Sequence, residues 1–171
     1  MKGEQILEEL FQYWNIIEID GAYYYLDTTW DDSSNTVQSV KNTDFGFAYF
    51  CITTEELTRT RDITLCPTDV PLCTEVCGNY FYHNNLVLDD YDLDRIKEMA
   101  QNAATNKCSA LTFKCKSRAV FNRVMTQLFS TQDCYAVLKV ASKVDKRILS
   151  NTFSYSCDKN IWTVQMRFKY K

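Results

Sequence analysis

Cysteine and histidine are the side chains of this sequence best suited to covalent chemistry, and the chain holds eight of the first and one of the second. His83 follows Cys66, Cys73 and Cys77 within one short stretch. A thiol beside a histidine supplies a nucleophile together with the base that activates it. No carboxylate is singled out as a third member, so a Cys-His pair is one interpretation of this stretch.

The same four side chains are also ligands that zinc prefers, which makes a zinc-stabilised interaction domain a second interpretation. Their separations differ from the paired two-residue spacing of common structural zinc sites. Reduced, buried thiols are a third interpretation, because a core-rich chain of 171 residues does not need a disulfide framework. We therefore predict no metal, and keep one alternative zinc set: Cys66, Cys73, Cys77 and His83.

A second group of candidates lies in residues 12–32, where two aromatic-rich runs flank Asp20-Gly21. An Asp-Gly dipeptide accepts the positive φ angles of a tight two-residue turn. The pattern therefore predicts a β-hairpin from about Gln12 to Trp30, with a wide aromatic face suited to a half-buried sheet.

This hairpin resembles the transglutaminase-like, papain-related domains of bacterial proteins. In that family a His-Ala-Trp-Asn strand, an Asp-Gly turn and an Asp-x-Thr-Trp strand carry the histidine and the acid of a Cys-His-Asp triad. The segments Trp14-Asn15, Asp20-Gly21 and Asp27-Thr28-Thr29-Trp30 match at corresponding separations. The resemblance places Asp27 at the position of the family acid and Gln12 at that of the histidine. Trp14 and Asn15 match family neighbours that shape the site. We expect four residues of the hairpin to contact a bound partner: Trp14, Asn15, Tyr24 and Trp30.

The glutamine at position 12 changes what such a site can do. Glutamine has no titratable nitrogen, so Gln12 cannot move the proton that the histidine moves, a loss of ~10²–10⁴ in rate. The resemblance covers the carboxy-terminal half of the domain, and the family cysteine lies upstream of it. We therefore expect a truncated, non-catalytic relative that binds a peptide or protein across the hairpin's aromatic face. The alternative is a cysteine-dependent enzyme whose nucleophile lies upstream of this chain or among its own cysteines.

Composition excludes several other classes of function. The net charge of −3 and a pI near 5.2 give no basic field, which disfavours nucleic acid and anionic membrane as partners. No apolar run has the length of a membrane span, and Met1-Lys2-Gly3-Glu4-Gln5 lacks the pattern of a secretion signal. As it stands, the chain is expected to be cytoplasmic. No glycine-rich phosphate loop is present, so we expect no cofactor.

The elements that position these residues predict an α+β fold. After the hairpin, residues 45–52 form a further strand, and Thr53 caps a helix start with acids in its first turn. Residues 58–78 are expected to be irregular, and the aromatic run over 79–88 predicts a strand.

Helical spacing then dominates. One helix has its apolar face between Leu93 and Ala103 and a cap at Asp90 or Asp92, and Ser117 opens a second helix. A short strand over 111–115 lies between them, and a third helix spans roughly 132–144. Strict alternation from Trp162 to Tyr170 predicts a strand that pairs with residues 152–157.

We divide the chain near residue 78. Residues 1–78 are predicted to be a partial transglutaminase-like, β-rich region, and residues 79–171 an α+β module with helices on one face of a small sheet. Without the family's upstream helices, one face of the first sheet would lack a cover. We expect either that residues 4–10 fold over it or that two chains cover it as a homodimer.

Overall fold

The computed structural model describes residues 14–27, 47–65 and 69–171, which form an α+β fold with two sheets. The strands are β1 (Asn15–Ile19), β2 (Ala22–Leu26), β3 (Phe50–Ile52), β4 (Val87–Leu88), β5 (Ala110–Cys115), β6 (Ile148–Asp158) and β7 (Thr163–Tyr170). The α-helices are α1 (Thr54–Leu57), α2 (Tyr80–His83), α3 (Leu93–Thr105), α4 (Arg118–Val124) and α5 (Cys134–Val144). A 3₁₀ turn spans Ile63–Leu65, and a π-helical turn, Met125–Ser130, continues α4. Several predictions lie outside the described residues: those on Gln12, Trp30, Cys66 and segment 4–10.

The amino-terminal sheet has the order β1-β2-β3 and is antiparallel throughout. Asp20 and Gly21 have φ angles of 52° and 80°, so both turn residues are left-handed and the predicted hairpin is confirmed. The next strand is shorter than predicted, because residues 47–49 form a turn and only Phe50–Ile52 is extended.

Thr53 caps α1 as predicted. Its hydroxyl accepts from the Glu56 backbone N–H at 3.2 Å, and the Glu56 carboxylate accepts from the Thr53 N–H at 3.2 Å. This reciprocal pair satisfies two amides that a helix start leaves without partners.

The strand predicted over residues 79–88 is wrong for most of its length. Residues 80–83 form the short helix α2, because the Asn79 side chain accepts from the Phe81 N–H at 3.1 Å and so caps a helix. The helix ends at His83, and the left-handed φ of 56° at Asn85 lets the Leu86 N–H donate to the Phe81 carbonyl at 2.7 Å. Only Val87–Leu88 remains extended, as β4. Aromatic content indicated a strand here, but the local cap favours a helix.

The carboxy-terminal sheet has the order β4-β5-β7-β6, with β4 parallel to β5 and the other pairs antiparallel. The predicted caps at Asp92 and Ser117 are confirmed, each accepting from a backbone N–H in the first turn of its helix. The predicted hairpin of β6 and β7 is confirmed as well. No helix of the described ranges is long and apolar enough to cross a membrane.

The core of this second region lies between the helices and one face of the sheet. Its fully buried members come from β5, β7 and all three long helices: Ile96, Ala100, Phe113, Cys115, Val124, Leu128, Val137, Leu138, Ala141, Val164 and Met166. The alternating polar residues Lys114, Thr163 and Gln165 occupy the other face of the sheet and are also fully buried. That face is therefore not the solvated one that the alternation suggests.

Residues around the two sheets are in direct contact. The Tyr49 hydroxyl donates to Asp158 at 2.7 Å, Arg59 lies 3.6 Å over the Trp162 ring, and Ile161 is fully buried in the amino-terminal core. The division near residue 78 stays a prediction, and these contacts show that the two regions pack as neighbours across it.

Candidate functional site

Asp27, the residue aligned with the family acid, lies directly after β2 with its side chain fully buried. Its backbone N–H donates to the Tyr49 carbonyl at 3.1 Å, which fixes the end of the strand. Its carboxylate lies 2.6 Å from Nη2 of Arg61, whose side chain is 4% exposed. Asp27 is thus half of a buried, charge-assisted hydrogen bond.

This ion pair determines what Asp27 can do. In a Cys-His-Asp triad the acid holds the histidine in one orientation and tautomer. Here one carboxylate oxygen accepts from a guanidinium that would otherwise be an uncompensated charge in the interior. Asp27 therefore has a structural role in charge balance, and Arg61 is the partner that the sequence did not reveal.

Tyr24, expected to face a bound partner, is instead a core residue with 1% of its surface exposed. Its ring packs on Gly78, where an added Cβ would lie 3.0 Å from the ring. Its hydroxyl lies 2.9 Å from the Cys77 sulfur, and this hydrogen bond together with burial raises the pKa of Tyr24 to about 12. We therefore correct its assignment from ligand contact to packing.

The other described residues of the hairpin differ in their burial. Tyr25 is fully buried and its hydroxyl donates to the Pro71 carbonyl at 3.1 Å, while Trp14 packs partly buried against the same core. Asn15 is exposed, and Tyr23 is 43% exposed on the outer side. As neighbours in β2, Tyr24 and Tyr25 point to opposite faces of the sheet, and both are buried. The described part of the hairpin therefore offers a partner little of the surface expected of it.

The described members of the alternative zinc set do not form a metal site. Cys73 is buried with its thiol 3.6 Å from the Pro71 carbonyl, Cys77 contacts Tyr24, and His83 is exposed on α2. Within residues 14–27, 47–65 and 69–171, no three His, Cys, Asp or Glu side chains come together as metal ligands do.

Burial governs the thiols. It raises the pKa of Cys115 to about 12, and it raises the pKa values of four further cysteines: Cys51, Cys73, Cys134 and Cys157. A nucleophilic cysteine needs the opposite shift, since the thiolate is the reactive form. These five thiols are suited to packing.

A second buried ion pair lies at the junction of the two regions. Lys114 of β5 is fully buried and its ammonium group pairs with Glu56 of α1. The pair lines a cleft of about 460 Å³, together with Arg59 stacked on Trp162 and the ring of Tyr82. Lys114 lies on the face of β5 opposite the apolar core of the carboxy-terminal region, and its partner Glu56 on α1 belongs to the other region.

A groove of about 730 Å³ lies between α2, α3 and β5. Phe47 and Tyr80 stand at its side with ring centroids 4.9 Å apart, and they are 52% and 37% exposed. The residues of β5 at its floor include Ala110 and Thr112. Four amide side chains also line it: Asn84, Asn85, Asn102 and Asn106. None of these residues was predicted from the sequence as part of a site. The available signal was the run of aromatic residues that ends at Asn84 and Asn85.

Comparison with known proteins adds no assignment to this geometry: no protein-family model matches the chain, and no curated protein matches its sequence.

Proposed function

We propose that this chain is a non-catalytic binding module for a peptide or protein partner, with a hairpin that resembles the transglutaminase-like group. The observation that carries the proposal is the buried pair of Asp27 and Arg61, with 2.6 Å between carboxylate and guanidinium. This pair gives the residue at the acid position a structural task. Gln12, at the histidine position, cannot act as a general base.

The thiols support the same proposal. Covalent catalysis by cysteine requires a thiolate near neutral pH, and electropositive, partly exposed surroundings are what produce one. Burial instead raises the pKa values of five described cysteines, that of Cys115 to about 12.

A binding role needs an accessible concave surface with mixed apolar and polar lining. The groove between α2, α3 and β5 has that character, with the Phe47–Tyr80 stack on one side and asparagines around it. The net charge of −3 favours a peptide or protein over nucleic acid as the occupant.

Two assays on the full chain test the absence of catalysis. The first measures incorporation of a fluorescent primary amine into casein, and the second measures cleavage of a quenched fluorescent casein. We expect no signal above buffer in either. Activity that iodoacetamide abolishes would contradict the proposal. Gln12→His is measured alongside, because restoring the histidine would make any weak activity easier to detect.

Thiol reactivity gives an independent test. Alkylation by iodoacetamide, followed cysteine by cysteine with mass spectrometry at pH 6 to 9, should be slow for the five cysteines whose pKa values burial raises. It should accelerate towards high pH. One cysteine that reacts rapidly at pH 6 would indicate a stabilised thiolate and favour the enzyme alternative.

A further inference from the structure

Along the groove, strand β5 has a hydrogen-bonding edge that no other strand of the described ranges pairs with. The Lys114 N–H donates to the Leu86 carbonyl and the Lys116 N–H to the Leu88 carbonyl, each at 2.9 Å. Backbone groups of alternate residues point to the same edge of a strand, so those of Ala110 and Thr112 also point to the β4 side. β4 pairs only with Lys114 and Cys115, and no strand of the described ranges continues that pairing along residues 110–112.

The edge is open because the chain leaves it early. Helix α2 ends at His83, and the left-handed residue Asn85 reverses the chain two residues before β4. The residues before β4 are therefore helical where a longer strand would have continued alongside β5. The groove occupies the place of that missing stretch of strand, since both Ala110 and Thr112 line it. The groove therefore follows the stretch of β5 that β4 leaves unpaired.

The groove is electrically neutral. Among the described residues lining it, Arg95 alone is charged, and its guanidinium is paired with Glu98 at 2.6 Å and donates to the Asn85 carbonyl at 2.8 Å. Amide side chains around the groove can donate to and accept from a peptide backbone. The exposed Phe47–Tyr80 stack offers an aromatic platform at the same place.

We propose that this groove binds an uncharged, extended peptide segment bearing an aromatic side chain, which adds to β5 as a strand in line with β4. The peptide backbone would pair with Ala110 and Thr112, and its aromatic side chain would pack on Phe47 and Tyr80. Strand addition of this kind takes affinity from main-chain hydrogen bonds and specificity from the pockets for alternate side chains. The inference rests on the proposed binding function and names its partner class and its site.

The test uses the full chain and a defined probe, the acetylated, amidated pentapeptide Ser-Val-Tyr-Val-Ser carrying a fluorescent label, followed by anisotropy. The control probe has methyl groups on its three central amide nitrogens, which remove the central N–H donors from both edges and sterically hinder pairing there. We expect saturable binding of the first probe and binding at least about tenfold weaker for the second, because the edge hydrogen bonds are lost. Equal affinity for the two probes, or no binding of either, overturns the proposal.

Two variants on α3 locate the site. Asn102 and Gln101 are both exposed, but only Asn102 lines the groove. Asn102→Trp should obstruct the groove and weaken the probe at least about tenfold, whereas Gln101→Trp should change its affinity less than about twofold. Equal effects of the two substitutions would place the probe elsewhere.

Amide hydrogen exchange distinguishes strand addition from a nonspecific contact, because only strand addition protects particular backbone N–H groups. In the complex, the N–H groups of Ala110 and Thr112 should become protected, and the methylated probe should leave them unprotected. Protection confined to the cleft beside Trp162, or protection of 110 and 112 by self-association at high protein concentration, contradicts strand addition by a peptide. These outcomes leave the non-catalytic proposal intact, which fails only through the activity and thiol assays.

Discussion

The amino-terminal sheet encloses a buried ion pair and three buried tyrosines, whereas the helical face of the carboxy-terminal sheet encloses apolar side chains. Each of the three tyrosine hydroxyls has a defined partner: Cys77 for Tyr24, the Pro71 carbonyl for Tyr25 and Asp158 for Tyr49. An apolar core tolerates any arrangement that fills its volume. A polar core is stable only if each buried group finds its partner, so the first sheet should be sensitive to chemistry and the second to volume.

Removal of one charge from the amino-terminal core should have the largest effect. Asp27→Ala leaves the Arg61 guanidinium buried without its carboxylate and should lower the free energy of unfolding by about 3–5 kcal/mol. Urea unfolding followed by tryptophan fluorescence measures this. Asp27→Leu combined with Arg61→Met should recover most of the loss, and a cost below about 1 kcal/mol for the single change would refute a structural role for the pair.

A cavity in the carboxy-terminal core is the corresponding test of volume. Leu138 of α5 is fully buried, so Leu138→Ala should lower the free energy of unfolding by about 2–4 kcal/mol. Val144, on the same helix, is 44% exposed, and Val144→Ala should remain within about 0.5 kcal/mol. Similar costs at both positions would mean that this face does not depend on filled volume.

A hydroxyl deletion tests the contact between the two sheets. Tyr49→Phe removes the 2.7 Å hydrogen bond to Asp158 and should lower the free energy of unfolding by about 1.5–3 kcal/mol, because the acceptor is a carboxylate. Tyr155→Phe is the matched control, since Tyr155 is 50% exposed and should change stability by less than about 0.5 kcal/mol. A thermal melt of each variant suffices, and equal melting temperatures would contradict the expectation.

Alkaline pH should have a smaller effect, to which Cys115 of the carboxy-terminal region contributes. Burial raises the pKa of Cys115 from 9.0 to about 12, so the stability linked to its neutral thiol is present below pH 9 and is lost as pH rises towards 12. Between pH 8 and pH 10 this amounts to about 1–2 kcal/mol. The Tyr24 contribution, with a pKa raised from 10.0 to about 12, should be lost only above pH 10.

Urea unfolding at pH 8, 9 and 10 measures the alkaline effect. Cys115→Ala should flatten the dependence between pH 8 and pH 10 while lowering stability throughout. An unchanged slope in that variant would assign the loss to other groups.

Local signals were the ones that the sequence revealed. Asp20-Gly21, Thr53, Asp92 and Ser117 act through backbone groups within a few residues, so a tight turn and three helix starts were readable from residue type and spacing. Alternation in the last strand likewise predicted β7.

Long-range partners were not readable. Arg61 lies 34 residues from Asp27 and belongs to no motif, so nothing in the sequence indicated that the two charges meet. Lys114 pairs with Glu56 on α1, an element of the other region. At residues 79–83 two local signals competed, since aromatic content favours a strand and the Asn79 cap favours a helix, and the cap prevailed.

The hairpin resemblance shows the same division between local and long-range information. The Asp20-Gly21 turn and the described strands Asn15–Ile19 and Ala22–Leu26 formed as the hairpin pattern predicted, but the burial of Tyr24 and the pairing of Asp27 depend on residues 61, 77 and 78. A motif of this kind therefore specifies the local backbone well and the role of its side chains poorly.

The position of Ile161 in the amino-terminal core has a consequence for synthesis on the ribosome. Ile161 lies between β6 and β7, yet it is fully buried against Tyr25, Ile52 and Leu57. Domains usually fold from the amino terminus as the chain emerges. Here the first sheet must wait for residue 161 before its interior closes, so nascent chains that stop short of β7 should expose an unfinished core and be targets for chaperones.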